Sequence, residues 1–300
     1  MKADSRLARE IQGRDFIVTA EYSPRTGTSA SAIEGSARFF KNVSAVNVSD
    51  NHYGIETSGL AVSAILARLG VEPVYQMTTR DRNRIALQSD LLGAALLGIK
   101  NVLCISGYHQ SLIGCADSAN VYDIDSIQLL AVAKKMNEEH TLLDGTKIEG
   151  PFDMLTGAAA NHYVKPTELN ILRMSKKIAA GAGFIQTSAV FDAEAFRRWF
   201  EAARQKGLAG RAAILAGILP LTSAGEARQL ARGHTDIIIP ENVIKRLEAA
   251  GSPESQKQEG LAICIEQAGE LRKIEGLRGI HIISGGKESL VPDISSSIKS

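Results

Sequence analysis

The chain has 300 residues, 44% hydrophobic and 22% charged, and its 34 Lys and Arg nearly balance 33 Asp and Glu. A net charge of +1 and an aromatic content of 5%, with no basic stripe between aromatics, argue against nucleic acid or an anionic membrane surface as partner. The opening "MKADSRLAREIQGRDF" lacks the apolar core of a signal peptide, and the longest apolar stretch, 91–99, is too short to span a bilayer.

The three cysteines, Cys104, Cys115 and Cys264, form no CxxC pair. Cys104 lies in an apolar run and reads as a small core residue. A reducing cytoplasm is the expected compartment, and a homo-oligomer the expected assembly of a soluble enzyme.

Apolar, β-branched runs recur along the chain at 16–22 ("FIVTAEY"), 43–49 ("VSAVNVS"), 72–78 ("EPVYQMT") and 101–106 ("NVLCIS"). The second half adds 154–160 ("MLTGAAA"), 183–189 ("GFIQTSA"), 212–218 ("AAILAGI") and 279–284 ("GIHIIS"). Near-continuous apolar runs are expected of parallel strands covered on both faces. "SGLAVSAILARLG" and "ALQSDLLGAALLG" carry helical spacing and end on Gly70 and Gly98 as C-caps. "KPTELNILRMSKKIAAGAG" offers Pro166 near a helix start and Thr167 as N-cap, and "DAEAFRRWFEAARQKG" and "SAGEARQLARG" repeat the plan. Eight strands alternating with helices predict a single-domain α/β fold, a (β/α)8 TIM barrel over residues 1–300, with a doubly wound open sheet as the alternative. The run 236–240 ("DIIIP") is read as a loop in the last crossover. The polar segment 109–150, with one helix in "SIQLLAVAKKMNEE", is assigned to the fourth strand-to-helix connection on the catalytic face.

In a barrel the chemistry sits at the C-terminal ends of the strands. Those ends hold Glu21, 49–51, Gln76 with 78–81, 106–109, 158–162, 186–188 and 217–221. Glu21 stands out as a carboxyl inside an apolar strand, where burial raises its pKa and suits it to act as a general acid. The alternative is a strand-end glutamate paired with Arg25 or Arg80. In "TTRDRNRIALQSD" one reading makes Asp81 a helix N-cap among salt-bridged arginines; the other lets Arg80 or Asn83 hold a phosphate or carboxylate. The glycine turns do not match a dinucleotide fingerprint, and there is no P-loop or GxSxG elbow. The six histidines (His52, His109, His140, His162, His234, His281) show no metal-ligand spacing, so no metal is expected.

The motif order closely resembles the 5,10-methylenetetrahydrofolate reductase family, most of all the branch also found fused to homocysteine methyltransferases. The matching stretches are "VTAEYSPRTG", "AVNVSDN", "TTRDRNRIALQSDLLGAALLGIKNVL", "VYDIDSIQLL", "FDMLTGAAAN", "RMSKKIAAGAGFIQT", "AGILPL" and "GIHI", covering nearly the whole chain in order. The resemblance implies a single barrel that binds FAD at the strand C-terminal face. It implies hydride transfer interconverting 5,10-methylenetetrahydrofolate and 5-methyltetrahydrofolate, with a tetrahydrofolate derivative as substrate. The electron donor or acceptor stays open between a nicotinamide and a partner protein. The resemblance places the acid at Glu21. It implies cofactor contacts at Ser49, Gln76, Arg80, Ser106, Gly107, Tyr108, His109, Tyr122, Asp123, Asn161 and Lys177, the last on the FAD phosphates, and substrate contacts at Glu21, Thr187 and Ser188.

Three departures accompany it. Tyr108 stands where the family has an aspartate, Gln76 where a histidine is common, and Ser188 where a glutamine meets the pterin. Tyr108, neutral at its ordinary pKa near 10, therefore enters as a catalytic candidate. It suggests either a reaction running as methyltetrahydrofolate oxidation or a folate-binding subunit with weak flavin chemistry. A third reading is a flavin-independent reductase.

Overall fold

A computed structural model describes residues 3–13, 15–52, 54–233 and 237–299. Eight parallel strands close into a barrel in sequence order: β1 Ile17–Tyr22, β2 Ala45–Val48, β3 Pro73–Thr78, β4 Asn101–Ile105, β5 Leu155–Ala160, β6 Phe184–Ala189, β7 Ala213–Ile218 and β8 Gly279–Ile282. β1 pairs with β8, so the sheet has no free edge. The (β/α)8 expectation holds, and the open sheet is excluded. No helix among the described residues is long and apolar enough to cross a membrane.

Strand alternation explains the apolar runs. One set of side chains, including Val18, Ala20, Val46, Val48, Tyr75, Met77, Val102 and Cys104, packs outward against the helices. The other set fills the barrel. Its lower layer is Ile17, Ala45, Val74, Leu103, Leu155, Phe184, Ala213 and Leu215. Phe184 takes this space because β5 has no side chain at Gly157, where a Cβ would lie 2.1 Å from the ring. Gly157→Ala should therefore cost about 1–3 kcal/mol by overpacking, read as a lower urea midpoint; an unchanged midpoint would show that the ring has room to move.

Above this layer the barrel turns polar. Asn47 donates to Gln186 Oε1 at 2.7 Å, and Gln186 donates back to Asn47 Oδ1 at 3.0 Å. Thr19 Oγ1 lies 2.9 Å from His281 Nδ1, and Gln186 Nε2 reaches the same nitrogen at 3.3 Å. Burial pushes the His281 pKa down to about 3, so its ring is neutral. A paired polar belt thus replaces an apolar plug and forms the floor of the barrel mouth.

Three local expectations change. Helix Arg84–Leu96 is capped by Asn83, whose Oδ1 accepts from Ile85 N and Ala86 N at 3.1 Å each; Asp81 pairs with Arg80 instead. Thr167 is the first residue of helix Thr167–Ala179, preceded by Pro166 without a side-chain cap. The segment 109–150 is divided between the two ends of the barrel. Helix Ser126–Glu139 runs back along the barrel for about 20 Å at 1.5 Å per residue, so 140–154, with its Thr141–Lys147 bridge, leads into β5 from the opposite end. Residues 237–240 are an irregular connection before helix Glu241–Ala249, as expected; Asp236 and His234 lie outside the described residues.

Candidate active site

Glu21 is the penultimate residue of β1, directed into the mouth just above the polar belt and only 7% exposed. Its carboxylate accepts one side-chain hydrogen bond, from Ser23 Oγ at 3.3 Å. Desolvation pushes its pKa up to about 7; Glu56 and Glu288 add to the rise, while Ser23 and the Gly285 backbone amide oppose it. Neither Arg25 nor Arg80 forms an ion pair with Glu21. Arg80, 1% exposed, gives Nε and Nη2 to Asp81 at 2.6 and 2.7 Å, Nη1 to Tyr108 O at 3.1 Å and Nη2 to Asn51 O at 3.0 Å.

A raised carboxyl pKa has a defined linkage sign. The folded state holds the proton more tightly than the unfolded chain, so this contribution to stability is complete below pH 4.5 and is lost as pH rises through about 7. Glu21→Gln, which stays neutral, should be more stable than wild type by about 1–3 kcal/mol above pH 8 and equal to it near pH 4.5. Urea unfolding at both pH values checks this, and equal midpoints at pH 8 would remove the buried, proton-holding carboxyl.

Glu21 lines a cavity of about 130 Å³ together with His52, Gln76, Gln186, Thr187 and Ser188. The structure thus brings Glu21, Gln76, Thr187 and Ser188 together. Simple alternation along β6 would turn only one of Thr187 and Ser188 inward. The register with β7 slips, from Gln186 opposite Leu215 to Ala189 opposite Gly217, which inserts one extra residue in β6. Thr187 Oγ1 accepts the Gly217 amide at 3.0 Å, and a Cβ at Gly217 would lie 2.3 Å from Thr187 O, so the bulge needs that glycine.

Tyr108 does not line this cavity. Half-buried on the loop after β4, its ring meets His52 edge to face, centroids 5.2 Å apart and planes at 74°. Gly107 before it has φ of 82°, and a Cβ there would meet Thr78 at 2.4 Å. His109 is exposed, its Nδ1 2.8 Å from Ser111 Oγ. Ser106 Oγ accepts the Ser126 amide at 3.3 Å, and the Tyr122 hydroxyl donates to Gly107 O at 3.2 Å. Asp123 is gripped by Arg84 through its backbone N, Nε and Nη2 at 2.9, 2.7 and 2.9 Å, which lowers its pKa to about 2. The Ser49 hydroxyl donates to Glu56 Oε2 at 2.9 Å.

Asn161 and Lys177 share a second cavity of about 140 Å³ with Arg173, and Ala159 borders both cavities. Lys177 Nζ donates to Ala159 O at 2.6 Å. Its pKa is lowered first by burial and then by Arg173, one helical turn away, with Asp125 opposing. Neither cation forms an ion pair with a carboxylate among the described residues. Two such cations beside a cavity, served only by a carbonyl, form a donor set suited to an anion such as a pyrophosphate. His162, at the end of β5, is buried against Tyr163, Phe196 and Trp199, its pKa pushed down to about 3, and lines neither cavity.

The sequence model of the methylenetetrahydrofolate reductase family matches residues 6–299. The chain belongs to this family. It is 22% identical to the 5,10-methylenetetrahydrofolate reductase of Pectobacterium carotovorum over 288 residues, 94% of this chain and 89% of that one. It is 21% identical to a probable NADPH methylenetetrahydrofolate reductase of Caenorhabditis elegans over 248 residues; this match takes in 81% of the present chain but only 35% of the nematode protein's length.

Two solved structures share the barrel of this family member. One is an uncharacterized protein from Clostridium thermocellum that binds two copies of 5-methyl-5,6,7,8-tetrahydrofolic acid, with a TM-score of 0.65 at 15% identity, covering 97% of this chain and 99% of that one. The other is the coenzyme F420-dependent tetrahydromethanopterin reductase of Methanopyrus kandleri, with a TM-score of 0.58 at 9% identity, covering 95% and 99%.

His52, Glu56, Glu288, Gln186 and Arg173 also belong to this surface. Sequence reading included Gln186 among the strand-end positions but named none of the other four as a site residue. The only signals were that His52 closely follows β2 and that Arg173 precedes Lys177 by one helical turn.

Proposed function

We propose that this family member is a flavin-dependent oxidoreductase that interconverts 5,10-methylenetetrahydrofolate and 5-methyltetrahydrofolate, running physiologically as methyltetrahydrofolate oxidation. The observation that carries the reading is Glu21: a buried carboxyl without an ion pair, pushed up to about 7, at the floor of the mouth. Near neutral pH it is present in both protonation states. It can give a proton to a ring nitrogen as the imidazolidine of methylenetetrahydrofolate opens, and accept one as that ring closes in the oxidative direction. Gln76, Thr187 and Ser188 offer neutral polar contacts to the folate around it.

FAD is the cofactor in this reading, and the donor set fits it. Lys177, Arg173 and Asn161 would hold the phosphates, and Ala159 marks the path from their cavity to the mouth. Bound flavin would supply a two-electron hydride donor or acceptor at the folate carbon. Ser106, Gly107, Tyr108, His109 and Tyr122 would border it on the fourth loop. Ser49, Arg80 and Asp123 would act by holding that surface in shape, since their polar groups are committed to Glu56, to Asp81 and two carbonyls, and to Arg84. Lys177→Ala should weaken FAD binding about 10- to 100-fold, measured by fluorescence titration of the apoprotein; unchanged affinity would move the phosphates elsewhere.

Oxidation as the favoured direction rests on the neutral phenol at 108. A carboxylate there would stabilise a cationic iminium and oppose electron gain by the flavin. The fold shared with the C. thermocellum protein, which binds 5-methyltetrahydrofolic acid, supports a second reading: a folate-binding subunit without flavin chemistry. The absorbance spectrum after incubation with FAD separates the two. Flavin bands that stay with the protein through gel filtration support the oxidoreductase; a colourless protein that still binds methyltetrahydrofolate supports the subunit.

A further inference from the structure

One side of the mouth is walled by two loops tied to each other, and the proposed chemistry gives no role to His52, the residue of that wall that lines the cavity. His52 lies on the loop after β2 and lines the cavity that contains Glu21. Its own loop is closed by Glu56: Ser49 Oγ and His52 N donate to Glu56 Oε2 at 2.9 and 3.3 Å, and Glu56 N donates to Asn51 Oδ1 at 2.9 Å. The Tyr108 ring stands behind it, edge to face at 5.2 Å. The two loops are joined by one buried guanidinium, since Arg80 bonds Asn51 O on the first and Tyr108 O on the second. Asp81 holds that guanidinium in place from its other edge.

We infer that His52 is a substrate-contacting, specificity-determining residue whose ring packs on the flat pyrimidine half of the folate's reduced pterin. Tyr108 and Arg80 are the positioning residues that fix it. The inference rests on the folate reading of the mouth. A reduced pterin entering the cavity beside Glu21 meets an imidazole backed by Tyr108 on a loop held by Glu56 and Arg80, so little side-chain freedom is lost on binding. Aromatic packing of this kind adds about 0.5–1.5 kcal/mol beyond area burial. In this arrangement Tyr108 acts through His52 rather than on the reacting carbon. Of the two readings of Arg80, the salt-bridged one holds: it pairs with Asp81 and binds two backbone carbonyls. Lysine could not replace it, because a single ammonium cannot span both carbonyls and Asp81 with the geometry of a planar fork.

The test is titration calorimetry of the FAD-loaded full-length protein with tetrahydrofolate, which lacks the transferable carbon and so binds without turnover. His52→Ala should raise the Kd about tenfold, whereas His52→Phe, which keeps a ring, should stay within about threefold of wild type. Arg80→Lys should raise it about as much as His52→Ala, and the double variant should lose little more, because both remove the same contact. FAD affinity should be unchanged in the His52 variants. Wild-type affinity in His52→Ala, equal losses in the Phe and Ala variants, or a parallel loss of FAD would each overturn the inference. If thermal melting shows Arg80→Lys unfolded, the two His52 variants decide alone. Failure of the wild-type protein to bind tetrahydrofolate would remove the folate reading along with the wall, a result distinct from the others.

Discussion

Glu21→Gln should abolish folate turnover, a loss on the order of 10²–10⁴-fold or more for removal of a general acid, while FAD binding stays intact. Gln keeps the volume and the hydrogen bond from Ser23 but cannot move a proton. The wild-type pH profile should carry the same signature. With the carboxyl pushed up to about 7 by desolvation, reduction of methylenetetrahydrofolate needs the protonated form and should fall as pH rises through that value. Methyltetrahydrofolate oxidation needs the carboxylate and should rise over the same interval. Stopped-flow measurement of flavin reduction by methyltetrahydrofolate from pH 5.5 to 9 checks both the variant and the limb. Normal turnover in Glu21→Gln would take this residue out of the chemistry.

The second large effect belongs to Tyr108. A phenol here leaves the mouth without the negative charge that an aspartate would bring, and its ring backs His52. Tyr108→Asp should lower the potential of bound flavin. A carboxylate about 10 Å away contributes about 1–2 kcal/mol at an effective dielectric constant near 20, or about 20–45 mV for a two-electron couple. Spectroelectrochemical titration of both proteins gives the answer. A wild-type potential equal to or below that of Tyr108→Asp would end the argument that this substitution favours oxidation.

Much of the architecture was legible because parallel strands buried on both faces write themselves as apolar runs, and all eight appear in the sequence. Glu21 was legible for the converse reason: a charged residue inside such a run must be either paired or functional. What stayed hidden depends on side-chain pairing between distant parts of the chain. Nothing local says that Arg80 is consumed by carbonyls 28 and 29 residues away, or that Arg84 engages Asp123. The β6 bulge is a property of two strands in register, so the sequence of one strand cannot announce it. The length of helix Ser126–Glu139 decides that 140–154 lies at the end of the barrel away from the mouth, which polarity alone could not reveal. His52 resembles any loop histidine until Tyr108 is placed behind it.

The central claim, a flavin and a folate exchanging hydride at this mouth, is tested most directly by adding 5-methyltetrahydrofolate to the FAD-loaded protein without oxygen and recording the spectrum and the folate products together. Bleaching of the flavin with one methylenetetrahydrofolate formed per flavin reduced is the predicted result. An unbleached flavin at methyltetrahydrofolate concentrations shown by calorimetry to saturate the protein would contradict it.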